Sequence, residues 1–138
     1  GSHEEPDHDL ESLKEAFLAS EWAQRTPAHV EAPFEITIGD SVVRGRMDAV
    51  FRQPDGTWLI VDWKTGRRPQ GSALTSAQIQ LAVYAEAWRR IHDVDSVRAA
   101  FFYVQENFLL EPENLPTGAR LAELVDSAVS TPPGLSLR

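Results

Sequence analysis

The chain has 138 residues, 42% of them hydrophobic, a net charge of −8 and no cysteine. That length suits one domain with a real core, and no stretch is long and apolar enough to cross a membrane. The missing cysteines exclude disulfides, thiolate-bound zinc and iron–sulfur clusters, and the acidic balance argues against strong autonomous binding to a polyanion.

Gly1-Ser2-His3 reads as a tag-cleavage remnant, and residues 4–130 are expected to form the domain. No signal peptide is recognisable, so a cytoplasmic setting is expected. Leu10 to Trp22 should be an amphipathic helix with Leu10, Leu13, Phe17 and Leu18 on one side and Asp9 as its N-cap. Val30 to Ile38 and Ser41 to Arg52 read as strands joined by a tight turn at Gly39-Asp40. Pro54-Asp55-Gly56 is a second turn, leading into a strand from Trp58 to Trp63. Ser76 to Ile91 carries Leu81, Ala85 and Trp88 at helical spacing, with Thr75 or Ser76 as N-cap. Ser96 to Gln105 reads as a buried strand, with Phe108 to Leu110 pairing back across Glu106-Asn107. Thr117 to Val129 should be a final helix, and 131–138 a loose tail. The order of elements predicts an α/β domain.

Chemistry concentrates in the second hairpin. If it is centred on Asp55, Asp48 falls across from Asp62, and Lys64 shares the face because strand side chains repeat every two residues. Leu59, Val61 and Trp63 then point the other way, and a one-residue slip would destroy the arrangement. Facing carboxylates raise one another's pKa unless a cation sits between them. Mg²⁺ or Mn²⁺ suits hard oxygen ligands and keeps waters that can serve as nucleophile. Lys64 could stabilise charge building on a phosphate or orient the attacking water. A solvated surface pair is the competing reading of Asp62 and Lys64, but Ile60-Val61-Asp62-Trp63-Lys64 sets these charges in an otherwise apolar strand, where unpaired charge is costly. Gln80 and Tyr84, four apart on the helix, share one face and could point at the mouth of this site.

Gly45-Arg46-Met47-Asp48, Val61-Asp62-Trp63-Lys64-Thr65-Gly66 and Gln80-Leu81-Ala82-Val83-Tyr84, in that order, resemble the PD-(D/E)XK nuclease superfamily and within it the RecB-like branch. The resemblance covers roughly Val30 to Val104. It implies a restriction-endonuclease-like mixed sheet flanked by helices, and a metal-dependent DNA nuclease. Domains of this kind sit at the C-terminus of UvrD-like helicase-nucleases that process double-strand breaks, and the composition is similar to the actinobacterial AdnA and AdnB type. By resemblance, Asp48, Asp62 and the Trp63 carbonyl would hold Mg²⁺ or Mn²⁺, Lys64 would be the catalytic lysine, and Gln80 and Tyr84 would help position DNA. The implied partners are DNA, with single-stranded ends expected, a helicase motor in the same full-length chain, and a second subunit in a heterodimer. One departure is plain: the branch carries a metal-binding histidine in a Gly-x-x-x-His context before the first aspartate, and His3, His8, His29 and His92 all lie outside such a context. Glu31 and Glu35 are the nearest candidates for an extra acidic ligand, with solvated strand-edge positions as the alternative.

Charge is unevenly spread. Residues 1–35 hold nine acids and two bases, whereas residues 36–70 hold four acids against Arg44, Arg46, Arg52, Lys64, Arg67 and Arg68. Arg67 and Arg68, in a Gly/Pro loop after Lys64, could reach a backbone phosphate. A catalytically incomplete DNA-end-binding or scaffolding module of a helicase is the alternative reading, and a stand-alone resolvase or restriction enzyme is a third.

Overall fold

The computed structural model describes residues 6–130, so the tag remnant at 1–3, His3 and the tail at 131–138 lie outside the described residues. Helix α1 (Pro6–Ala19) is followed by a 3-10 turn (Glu21–Gln24), strands β1 (His29–Ile38), β2 (Ser41–Arg52) and β3 (Trp58–Lys64), and helix α2 (Ser72–His92). Strand β4 (Val97–Tyr103), a second 3-10 turn (Val104–Glu106), strand β5 (Phe108–Leu110) and helix α3 (Gly118–Ser130) complete the described residues. The expected order of elements holds; three boundaries move by three residues or more, and the others by two at most. Helix α1 begins at Pro6, whose missing N–H costs nothing in a first turn, so Asp9 lies inside the helix rather than at its cap. It stops at Ala19, and Trp22 falls in the 3-10 turn. Helix α2 begins a turn earlier than Ser76, with Gly71 as N-cap at φ +60 and no side-chain cap bond. Side-chain capping rules cannot see a start made by glycine backbone.

The five strands lie in the order β1-β2-β3-β4-β5, antiparallel except for the β3–β4 pair, which is parallel. A parallel pair needs a crossover, and α2 supplies it, packing on one face of the sheet. That face is filled by Phe34, Ile38, Val43, Met47, Val50, Ile60, Ala99, Phe101 and Tyr103 against α2 residues and Leu121 and Val125 of α3. On the opposite face Ala49, Phe51, Leu59, Val61, Ala100 and Phe102 meet Trp22, with Leu13, Ala16 and Phe17 of α1 packed alongside. Central strands covered on both faces read as continuous apolar runs, which is why Val97 to Tyr103 shows no polar alternation. The result is a restriction-endonuclease-like α/β sheet with helices on both sides.

The first hairpin is tied down at its tip. Gly39 takes φ +61, the left-handed conformation a tight turn requires. From α3, the Asp126 carboxylate accepts the Asp40 N–H at 3.0 Å and the Ser41 hydroxyl at 2.7 Å. This anchors the β1–β2 ribbon where it runs past the end of its pairing with β3, which stops at Ala49 and Val61.

Candidate active site

The β2–β3 register places Val50 opposite Ile60 and Ala49 opposite Val61, the pairing expected for a hairpin centred on Asp55. One step further lie Asp48 and Asp62. The ladder ends there because the Trp63 N–H turns to the Asp48 Oδ2 atom at 2.9 Å instead of to a backbone carbonyl. Asp62 is 4% exposed, buried on the α2 side of the sheet, and its Oδ2 atom is 3.0 Å from the Lys64 Nζ atom. The ammonium also lies 4.9 Å from the centre of the Phe101 ring, which is in register with Asp62 on β4. Lys64 is thus held between a carboxylate and an aromatic face.

Burial is the main force on Asp62, pushing its carboxyl up to about 6; Lys64 opposes the shift and Asp48 adds to it. Beneath lies Tyr84, fully buried, its hydroxyl accepting the Gln80 Nε2–H at 3.1 Å and its ring edge-on to Phe34. Burial, with Asp62 close by, raises the Tyr84 phenol above its ordinary range. The helix face predicted for Gln80 and Tyr84 is therefore correct, but at 9% and 0% exposure they support the carboxylates from below and present little surface to a bound strand. The Trp63 ring faces the other side of the sheet, edge-on to Phe17 at 5.2 Å. Arg67 is exposed, while Arg68 is engaged with Glu106 at 2.7 Å and lies 4.2 Å from the Phe108 ring.

Glu31 and Glu35 are exposed on β1 and pair across the ribbon with Arg46 at 3.5 Å and Arg44 at 3.4 Å. His29 and His92 stand together against Trp88 near the start of β3, away from the carboxylates. Among the described residues no group of three or more His, Cys, Asp or Glu side chains could hold a metal ion. What is present is a pair: one buried carboxylate whose ionisation is opposed by burial and by its neighbour, and a second beside it. Such a donor set fits a hard divalent cation that keeps most of its waters. Sequence reasoning missed Phe101 and Tyr103, the β4 residues in register with Asp62 and Lys64. Tyr103 is buried, and burial and the Asp62 charge raise its phenol. Only the parallel pairing reveals them, because Ala99-Ala100-Phe101-Phe102-Tyr103 looks like core.

The sequence profile of the PD-(D/E)XK nuclease superfamily matches residues 3–131. The chain belongs to that superfamily. Its members generally use divalent metal ions, in keeping with the two carboxylates and the lysine at the end of β3. No curated protein matches the chain. Among solved structures, SSO0001 superposes with a TM-score of 0.53 at 21% identity, over 89% of this chain and 58% of that one. A protein from Eubacterium rectale named "Putative exonuclease" superposes with a TM-score of 0.58 at 15% identity, over 91% of this chain and 51% of that one. At these identities the likeness is one of fold, and the chain spans little more than half the length of either structure.

Proposed function

We propose that the chain is a RecB-like DNA nuclease module of a helicase-nuclease, hydrolysing phosphodiester bonds during the processing of double-strand breaks. The observation that carries this reading is the buried Asp62, ion-paired with Lys64 and adjacent to Asp48 at the end of a central strand, in a chain of the PD-(D/E)XK superfamily. Asp48 and Asp62 would hold Mg²⁺ or Mn²⁺, with the Trp63 carbonyl as a further ligand. Such an ion lowers the pKa of bound water and offsets charge on a phosphate. This chain's residues do the rest. Trp63 fixes one Asp48 oxygen by its N–H, leaving the other carboxylate oxygen for a ligand. Tyr84 and Gln80 hold the floor beneath Asp62, and Phe101 and Asp62 fix the Lys64 ammonium where it can meet a phosphate oxygen. Arg67, exposed on the following loop, supplies a contact to the DNA backbone; Arg68 can do so only by leaving Glu106. A motor in the same full-length chain, and a partner subunit, would feed single-stranded ends to the site, which is why an acidic domain can serve.

A second reading, a non-cleaving DNA-end-binding module, draws support from the absence of a third metal-ligating group among the described residues. Nuclease assays of the full-length protein on single-stranded DNA with Mn²⁺ decide between them. Metal-dependent cleavage lost in Lys64→Ala supports the enzyme; DNA retention without cleavage supports the second reading.

A further inference from the structure

The strands that carry the site break their own alternation at one place. Successive strand side chains point to opposite faces, so residues three apart should lie on opposite sides of the sheet. Met47 and Val50 are three apart, yet both pack in the core under α2, while Ala49 between them lies in the core under α1. Across the ladder, His29 contacts the Trp88 ring of α2 at 5.1 Å, and Ala32, three residues on, packs against the same core. Both strands therefore change face in the step between the Val30–Ala49 and Ala32–Met47 pairs. No residue is inserted in either strand, so this is not a bulge. The single row inside that step is Glu31 opposite Asp48, and Asp62 lies next along it.

Glu31 has φ +52. Among the described residues, the other two non-glycine residues with positive φ, Asp93 and Asn107, end helical turns, where the left-handed conformation is routine. Glu31 sits inside a strand, where it is strained. Its side chain does not account for the strain: among the described residues the carboxylate meets only Arg46, at 3.5 Å, with both side chains well exposed, an interaction of little strength. What the break achieves lies across the ladder, where Asp48 leaves its regular place and turns its carboxylate to the Trp63 N–H.

We infer that Glu31 is a positioning residue: its left-handed backbone turns β1 and β2 together, and so brings Asp48 into the metal-binding pair. The role belongs to the backbone and not to the carboxylate. The inference rests on the proposed nuclease site only for what Asp48 does there, not for how it is aimed.

The test compares Glu31→Gly, Glu31→Gln, Glu31→Ala and Glu31→Val with the wild type in two ways. Calorimetry measures Mn²⁺ affinity; the Trp63 amide, followed by NMR shift and hydrogen exchange in metal-free protein, reports the Asp48 bond directly. Gly and Gln should stay within about threefold of wild-type affinity with the Trp63 amide protected. Val, whose β-branch opposes positive φ, should weaken Mn²⁺ binding by about tenfold and expose the amide, a change equivalent to roughly 1.4 kcal/mol. Should the Val variant not fold, Gly and Ala carry the comparison, since they differ only by a Cβ; Gly, which relieves the strain, must bind at least as tightly as Ala and keep the Trp63 amide at least as protected. A tenfold loss in Gln would make the carboxylate itself a ligand and overturn the inference, as would Gly behaving like Val. If the wild type binds no Mn²⁺, the proposed metal site fails, and the Trp63 amide across the four variants still decides whether Glu31 aims Asp48.

Discussion

Replacing Asp62 by asparagine should stabilise the metal-free protein at about pH 8. Burial raises the Asp62 carboxyl from 3.8 to about 6. Between those two values the unfolded chain has lost a proton that the folded chain still holds, so stability falls as pH rises through the window and stays reduced above it. The difference, 6 − 3.8, is 2.2 units, and at roughly 1.36 kcal/mol per unit the ionised Asp62 costs the fold about 3 kcal/mol at most. Asparagine keeps the shape without the charge. The value of about 6 already includes the opposing pull of Lys64, so losing that partner is not a separate cost, and a net gain of up to about 3 kcal/mol is expected. Urea unfolding in chelator measures it, and repeating the titration near pH 4 should show the gain largely gone, because at that lower edge of the window the folded chain holds the proton and the unfolded chain has lost only about half of its own. Adding Mn²⁺ at pH 8 should reverse the order, since a ligand at about a thousand times its Kd stabilises the protein that binds it by about 4.1 kcal/mol. A variant no more stable than wild type at pH 8, or a gain of the same size at both pH values, would refute the assignment of burial as the force on Asp62.

Three further outcomes follow from the same geometry. On the proposed reading, in which the ammonium acts on developing phosphate charge, Lys64→Ala should lower the cleavage rate of the full-length protein by at least about a hundredfold, with little change in melting temperature because the side chain is only partly buried. Gly39→Ala should destabilise the fold by about 1 to 3 kcal/mol in urea titrations: a Cβ there would overlap the Asp126 carboxylate, and φ +61 disfavours any side chain. Residues 1–138 alone should cleave single-stranded DNA weakly. Lowering ionic strength should relieve only the part caused by the net charge of −8, so robust cleavage at every salt concentration would overturn the expectation.

The sheet was legible wherever a local signal decided the pairing. Pro54-Asp55-Gly56 fixes one turn and Gly39-Asp40 another, and each sets a register that the structure keeps. Helix starts were less legible, because Gly71 begins α2 through its own φ of +60, with no side chain to announce it. Long-range pairing was invisible. The β3–β4 contact is parallel and joined by a 21-residue helix, so no turn chemistry could place Phe101 beside Asp62 or Tyr103 beside Lys64.

The structure brings together the two carboxylates and the lysine that the hairpin register predicted, and it surrounds them with more buried residues than the sequence suggested. A glutamine and a tyrosine on one helix face look polar, and polarity suggests contact with substrate. Once α2 is laid against the sheet, that face becomes the floor of the site, and the hydroxyl of Tyr84 is satisfied by Gln80 instead of by water. The consequence is electrostatic. With both residues buried, the medium around Asp62 is less polarisable, its charged form is disfavoured, and a divalent cation beside Asp48 is worth more than it would be on an open strand. A face that sequence alone assigns to the substrate would thus act, in the proposed nuclease, through the carboxylate pair above it.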